Sequence, residues 1–317
     1  MENCIYGGKE RCTFDLKDKH GYYYNDLVIE WKMAANKGEL RCIDCGQPVY
    51  LAAGPIKEPY FAHYDKQACP YGNHIESEES KKGKRLLYTL LKNSFPEGDI
   101  RARYRMGNGM YATCYVINPN GQDIAIDYRL QYSGIENFHM RDTYYKENNI
   151  IPIYLLGSNK NRPTNQLSWY DNLIQKAIGY CGYLDVIKEQ ILLKKSFDYT
   201  VGMRRKIKYL EKKYSLEELR INEKGDFEGD FQELCNELEK SIEKDKKEYE
   251  QNQLRVSQTA KNFYLEGSNG IRADILKSAL EYLRRNEGYL VARKYLDYIA
   301  EHNLFEASGE ETEKRNE

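Results

Sequence analysis

Cys42, Cys45, His63 and Cys69 have the types and the spacing of a tetrahedral metal site. Cys42-Ile43-Asp44-Cys45 is a C-x₂-C knuckle, and Gly46 directly after it suits the tight turn a knuckle needs. His63 and Cys69 follow in Pro59-Tyr60-Phe61-Ala62-His63 and Ala68-Cys69-Pro70. Three thiolates and one imidazole make a closed donor set of the kind that holds structural Zn²⁺. His74, Cys4 and Cys12 are alternative members of the second pair. The polar stretch Met1–Cys12 predicts no secretory leader, so clustered cysteines point to metal before disulfide.

A second constellation joins acids and bases. Glu76, Ser80 and Lys84 stand at i, i+4 and i+8, one face of a helix. In Asp123–Gln131 the period of two puts Asp127, Arg129 and Gln131 on one side of a strand. Ile124, Ile126, Tyr128 and Leu130 take the other. Carboxylates of this sort hold Mg²⁺ in phosphodiester cleavage, where the ion activates water and offsets charge on the leaving oxygen. The alternatives are a solvated helix face for the first group and an intrasheet Asp127–Arg129 ion pair for the second.

These residues need elements to position them. Residues 1–72 are rich in turn signals and short of apolar runs, so a metal is expected to staple them. Tyr22–Trp31 and Pro48–Ala52 read as strands. Residues 73–94 read as a helix striped by Leu86, Leu87, Leu90 and Leu91 and weakened at Gly83. Strands are expected at 104–106, 110–117 and 124–130, the last two joined by the hairpin signal Asn118-Pro119-Asn120-Gly121. A helix over 138–148 and a central strand over 150–156 complete a compact unit. Beyond Asn161, residues 169–195, 203–220, 230–263 and 271–303 all read as helices. The expected domains are 1–72, 73–160 and a helical 161–303, with 304–317 as a disordered tail.

The ordered series of knuckle, "PYFAH", Cys69, "ESEES…K", "IAIDYR", Arg141, Tyr145 and "IIPIYLL" resembles the competence protein CoiA-like family. The resemblance covers residues 40–157. It implies a zinc-finger-like segment joined to a PD-(D/E)xK-type nuclease domain, and so a restriction-endonuclease-like core. By resemblance, Glu76 and Ser77 match the family's helix-borne "ES", and Lys84 matches a basic position further along. Asp127 matches the strand acid, and Arg141 and Tyr145 match a following "R…Y" helix. The chain departs from the pattern at three positions. Ser80 stands for His, Arg129 stands for Gln or Lys, and Thr113 takes the place of a metal-binding Asp. In the alternative hairpin register Cys114 faces the site instead. A fixed guanidinium and a missing carboxylate both weaken divalent-metal binding.

Downstream, Arg204, Arg205 and Lys208 belong to a local basic patch that can meet phosphates or stand as a solvated helix face. Composition is ordinary for a globular chain: 41% hydrophobic, 31% charged, net charge −1 over 317 residues. A global basic field is therefore excluded, and any nucleic-acid surface must be local. The most apolar stretch, Ile150–Leu156, is too short to span a membrane, and a cytoplasmic location is expected. The expectation is an α+β protein: an N-terminal zinc-binding module, a small mixed-sheet core and an all-helical C-terminal domain. It would bind nucleic acid, DNA foremost, or a DNA-processing partner, with structural Zn²⁺ and a weak or absent nuclease activity. The alternatives are an active Mg²⁺-dependent endonuclease in bacterial DNA uptake, recombination or defence, and a protein-interaction module.

Overall fold

Cys12, Leu16, Trp31, Ala34 and Ala35 are buried in the first seventy residues. The computed structural model describes residues 1–18, 20–65, 69, 76–162, 167–202 and 204–266. Strands β1 (Asn3–Tyr6) and β2 (Lys9–Cys12) form an antiparallel hairpin. A helical turn follows at Thr13–Leu16, and then helix α1 (Asn25–Asn36). The expected strand over Tyr22–Trp31 is thus corrected. Trp31, Ala34 and Ala35 recur at helical spacing and bury together, and this face outweighs the strand preference of Tyr, Val and Ile. Strands β3 (Val49–Ala52) and β4 (Tyr60–His63) form a second antiparallel hairpin, and Phe61 packs at 5.8 Å from Trp31. Leu40, Val49 and Leu51 join that small core.

Helix α2 (Glu78–Ser94) starts where Ser77 accepts a hydrogen bond from the Ser80 amide. The Ser77 cap places Glu76 just outside the helix, not within it. Leu86, Leu87, Leu90 and Leu91 are buried, as their spacing predicts. Strands β5 (Asp99–Arg105), β6 (Tyr111–Ile117) and β7 (Ile124–Arg129) then run antiparallel in order. The β6–β7 register pairs Cys114 with Ile126 and Val116 with Ile124. Helix α3 (Ile135–Glu147) crosses over to β8 (Ile151–Gly157), which lies parallel to β7. Helix α4 (Trp169–Ile178) has a capping box between Ser168 and Asp171. Strand β9 (Cys181–Asp185) lies parallel to β8.

Strands β10 (Gln190–Val201) and β11 (Arg204–Ser215) extend this into a seven-stranded sheet of order β11-β10-β9-β8-β7-β6-β5. The helices expected over 169–195 and 203–220 are corrected here: among the described residues of these ranges only 169–178 is helical, and the sheet continues past residue 160. Gly179 ends α4 in the left-handed region at φ 90°. Phe197, Tyr199 and Val201 are buried and alternate with exposed Asp198 and Thr200, a strand period. Lysine, leucine and glutamate in this stretch imitate a helix until the sheet edge supplies partners. Helix α5 (Phe231–Glu266) lies where a helix is expected. Residues 271–303 and the tail 304–317 lie outside the described residues. The described residues divide into two compact units: Met1–Ser196 with Tyr209–Gln232, and Phe197–Lys208 with the described residues from Glu233 to Glu266.

Gly83 has a packing reason that helix propensity does not reveal. A Cβ there would stand 2.3 Å from Tyr128 Cε1, so α2 approaches β7 closely only because this residue has no side chain. Gly83→Ala should therefore destabilise by about 1–3 kcal/mol, despite the better helix former. Urea unfolding checks this, and a more stable variant would show that α2 lies further from the sheet.

Candidate functional site

The knuckle turn is built by the backbone. Gly46 N–H donates to Cys42 O (2.9 Å) and Cys42 N–H to Gln47 O (2.9 Å). Gly46 sits at φ 71°, a conformation that favours glycine. The β3–β4 hairpin brings His63 alongside, its Nε2 at 3.3 Å from Cys45 Sγ. The four donor atoms of Cys42, Cys45, His63 and Cys69 all lie within 4.8 Å of one another. A tetrahedron of Zn–S bonds of about 2.3 Å has edges of about 3.8 Å, so a small contraction closes the shell. Burial lowers the His63 pKa, which keeps the imidazole in its neutral, ligating form. Burial pushes the Cys42 thiol up to about 11, so its thiolate requires a cation within reach. The donor set fits a metal such as zinc. Cys4 lies in the module core outside this group, its thiol raised by burial to about 12. Cys12 is also outside it, and His74 lies outside the described residues.

Asp44, between the knuckle cysteines, ties the metal site to the sheet. Tyr111 OH donates to Asp44 Oδ1 (3.3 Å), and Arg103 Nη1 stands 4.0 Å from Asp44 Oδ2. Arg103 holds a left-handed backbone (φ 47°), with its guanidinium 4.7 Å above the Tyr111 ring. Sequence reasoning overlooked Asp44, although its place inside the knuckle was a signal.

The second constellation divides between two faces of the sheet. Glu76, Ser80 and Lys84 do meet: Ser80 Oγ donates to Glu76, and Lys84 Nζ donates to Glu76 Oε2 at 2.5 Å. Lys84 also donates to Glu2, whose carboxylate no local pattern could have linked to it. This group belongs to the α2 face, onto which Tyr128 points. Asp127, the neighbouring strand residue, must point the other way. There Arg129 Nη2 (3.2 Å) and Arg141 Nη1 (3.1 Å) donate to its Oδ1, and Tyr145 OH donates to its Oδ2 (2.9 Å). The expected approach of Glu76 to Asp127 is thus corrected, because α2 and α3 pack on opposite sides. The Asp127 side chain is 2% exposed. Burial alone would lower the Arg141 pKa, but Asp127 beside it raises the value. Burial, then Asp127, raises the Tyr145 phenol, so it stays a donor. Thr113 turns its hydroxyl to the β7 backbone, accepting from Tyr128 N–H (2.9 Å) and donating to Tyr128 O (3.3 Å). Cys114 faces α2, donating to Lys84 O.

Beside Asp127 lies a small niche lined by Arg129, Ser133, Phe138, Arg141, Tyr154 and Tyr170. It opens at the carboxyl ends of parallel strands β7 and β8 and the amino ends of α3 and α4. Ser133 Oγ and Tyr170 OH, 2.8 Å apart, are polar members that sequence reasoning overlooked. The basic patch is on strand β11, not on a helix. Arg205 Nε donates to Asp198 (2.9 Å) and Lys208 to Asp245 (3.0 Å). Among the described residues, the Cys/His set is the one group of three or more such donors close enough to share an ion.

Residues 28–72 match the family model for the N-terminal domain of competence protein CoiA. The match runs from Val28, inside α1, through the knuckle and both strands of the β3–β4 hairpin to Cys69 and beyond, so this segment is similar to that domain. No curated protein and no solved structure matches the chain. No helix among the described residues is long and apolar enough to cross a membrane.

Proposed function

We propose that the chain is a CoiA-like protein that binds DNA through a nuclease-type core without cutting it, its N-terminal module stapled by Zn²⁺. One observation carries this reading. Both oxygens of Asp127 are held by Arg129, Arg141 and Tyr145, while Glu76 is held by Lys84 on the opposite face. Mg²⁺ would have to displace two guanidinium groups and recruit a carboxylate from across the sheet, and it binds protein carboxylates only loosely. The same arginines suit phosphate. Arg129 is 37% exposed, and the niche beside it lies where open α/β sheets receive ligands. Arg129 therefore contacts a backbone phosphate, with Arg141 positioning Asp127 behind it.

Cleavage assays on single- and double-stranded DNA with Mg²⁺ or Mn²⁺, paired with fluorescence anisotropy, test this. No metal-dependent cutting is expected, with weak binding that falls as salt rises. Arg129→Ala should weaken binding and reduce the salt slope by about one. Cutting that disappears in both Glu76→Ala and Asp127→Ala would restore the active endonuclease. Absence of binding even at low salt would favour a protein-interaction module instead.

A further inference from the structure

A cleft of about 510 Å³ lies between the N-terminal module and α2, away from the Asp127 niche. Its size is within the range of small-ligand sites, about 300–1,000 Å³. Strand β2, the Thr13–Leu16 turn and α1 form one wall, and α2 forms the other.

Most of its charged groups are already engaged. Asp15 accepts from Tyr88 OH (3.0 Å) and from Lys92. Asp18 accepts from the amides of His20 (2.8 Å) and Tyr22 (2.9 Å). Lys17 and Arg85 both hold Glu58, each at 3.2 Å. Arg11 is the exception. Its Nε is buried with no hydrogen-bond partner among the described residues. A buried donor left unmatched is costly, and an anionic oxygen satisfies it best. Lys92, 49% exposed at the rim, can share its charge with a second anionic oxygen. The apolar part of the wall is mostly aromatic: Phe14, Trp31 and a Tyr24 that is 53% exposed, with Leu27 beside them. A dianionic phosphate beside a planar ring matches this combination, since a phosphate monoester carries about −1.5 to −2 charge and three acceptor oxygens.

We propose that this cleft binds a nucleoside monophosphate, with Arg11 on the phosphate and Tyr24 against the base. The ligand is either a free nucleotide or the 5′-phosphorylated end of a single strand. Titration calorimetry with AMP, adenosine and a short 5′-phosphorylated oligonucleotide tests it on the full chain. AMP should bind saturably, and adenosine at least about tenfold more weakly. Arg11→Ala should weaken AMP at least about tenfold, and Tyr24→Ala, at an exposed position that leaves folding intact, about fivefold or more. Binding of the oligonucleotide but not AMP, with the same dependence on Arg11 and Tyr24, supports the strand end as the source. The proposal is overturned if neither binds in the millimolar range, or if binding is unchanged in Arg11→Ala and Tyr24→Ala. It is also overturned if AMP binding is lost in Arg129→Ala but kept in Arg11→Ala, because the nucleotide would then sit in the other pocket.

Discussion

Cys45→Ser protein should leave purification without stoichiometric metal and with its N-terminal module unfolded, while wild type carries about one Zn²⁺ per chain. Among the described residues, little else holds the N-terminal module together. The module core is Trp31, Leu16, Leu40, Val49, Leu51, Phe61 and a few small residues around them. Its sheets are two hairpins of four-residue strands, which are marginal alone in water. Structural Zn²⁺ in comparable small modules supplies an apparent binding free energy of about 10–16 kcal/mol, most of which is folding free energy. Loss of one ligand from four removes much of that and leaves buried thiols facing one another. Trp31, 3% exposed, reports the event through a red shift in fluorescence, and metal analysis reports the ion. Cys114→Ser, in the sheet and outside the donor set, should retain the metal. Full retention of zinc in Cys42→Ser or Cys45→Ser would move the ligand set toward Cys4 and Cys12. Through Asp44, metal loss should also release Tyr111 and Arg103 at the sheet edge, so module and core loosen together.

The knuckle was legible because its information is local: two cysteines, a glycine and a hairpin-borne histidine are contiguous or nearly so. The β6–β7 hairpin was legible for the same reason, since Asn118-Pro119-Asn120-Gly121 and the alternation of 124–129 are short-range signals. What the sequence could not show was sidedness. Period two puts Asp127 and Tyr128 on opposite faces, but which face receives α2 depends on Gly83 meeting the Tyr128 ring, a tertiary fact. The family-like order of Glu76, Asp127 and Arg129 therefore suggested one site where the fold makes two. The strands at 181–215 were hidden by residues that favour helix in isolation, and only pairing with β8 and with one another overrides that preference. Residues 22–31 failed in the opposite direction: tyrosine, valine and isoleucine suggested a strand, and the buried Trp31–Ala35 face made a helix.

Lys84→Met should lower stability at neutral pH by about 3–5 kcal/mol, the range for removing one partner of a buried ion group. The Lys84 side chain is 7% exposed, and its ammonium lies between Glu2, just before β1, and Glu76, just before α2. It therefore fastens the N-terminal module to the sheet layer, a structural task for a position that resemblance assigned to a nuclease helix. Burial by itself would raise the Glu2 carboxyl, but the Lys84 ammonium outweighs it and holds the pKa at about 2. A folded value below the unfolded one contributes stability that is present above about pH 4.5 and lost as pH falls toward 2. Without Lys84 the burial effect remains, and the folded Glu2 value rises above the unfolded one. The sign then reverses: the variant is least penalised in acid, where Glu2 is neutral, and worst off at neutral pH. The gap between wild type and Lys84→Met, measured by urea unfolding, should therefore narrow steadily from neutral pH to about pH 4. Adding Glu2→Gln to Lys84→Met should recover part of the loss by removing the stranded charge. A gap of under about 1 kcal/mol at neutral pH, or one that does not shrink in acid, would show that Lys84 does not serve as this fastening.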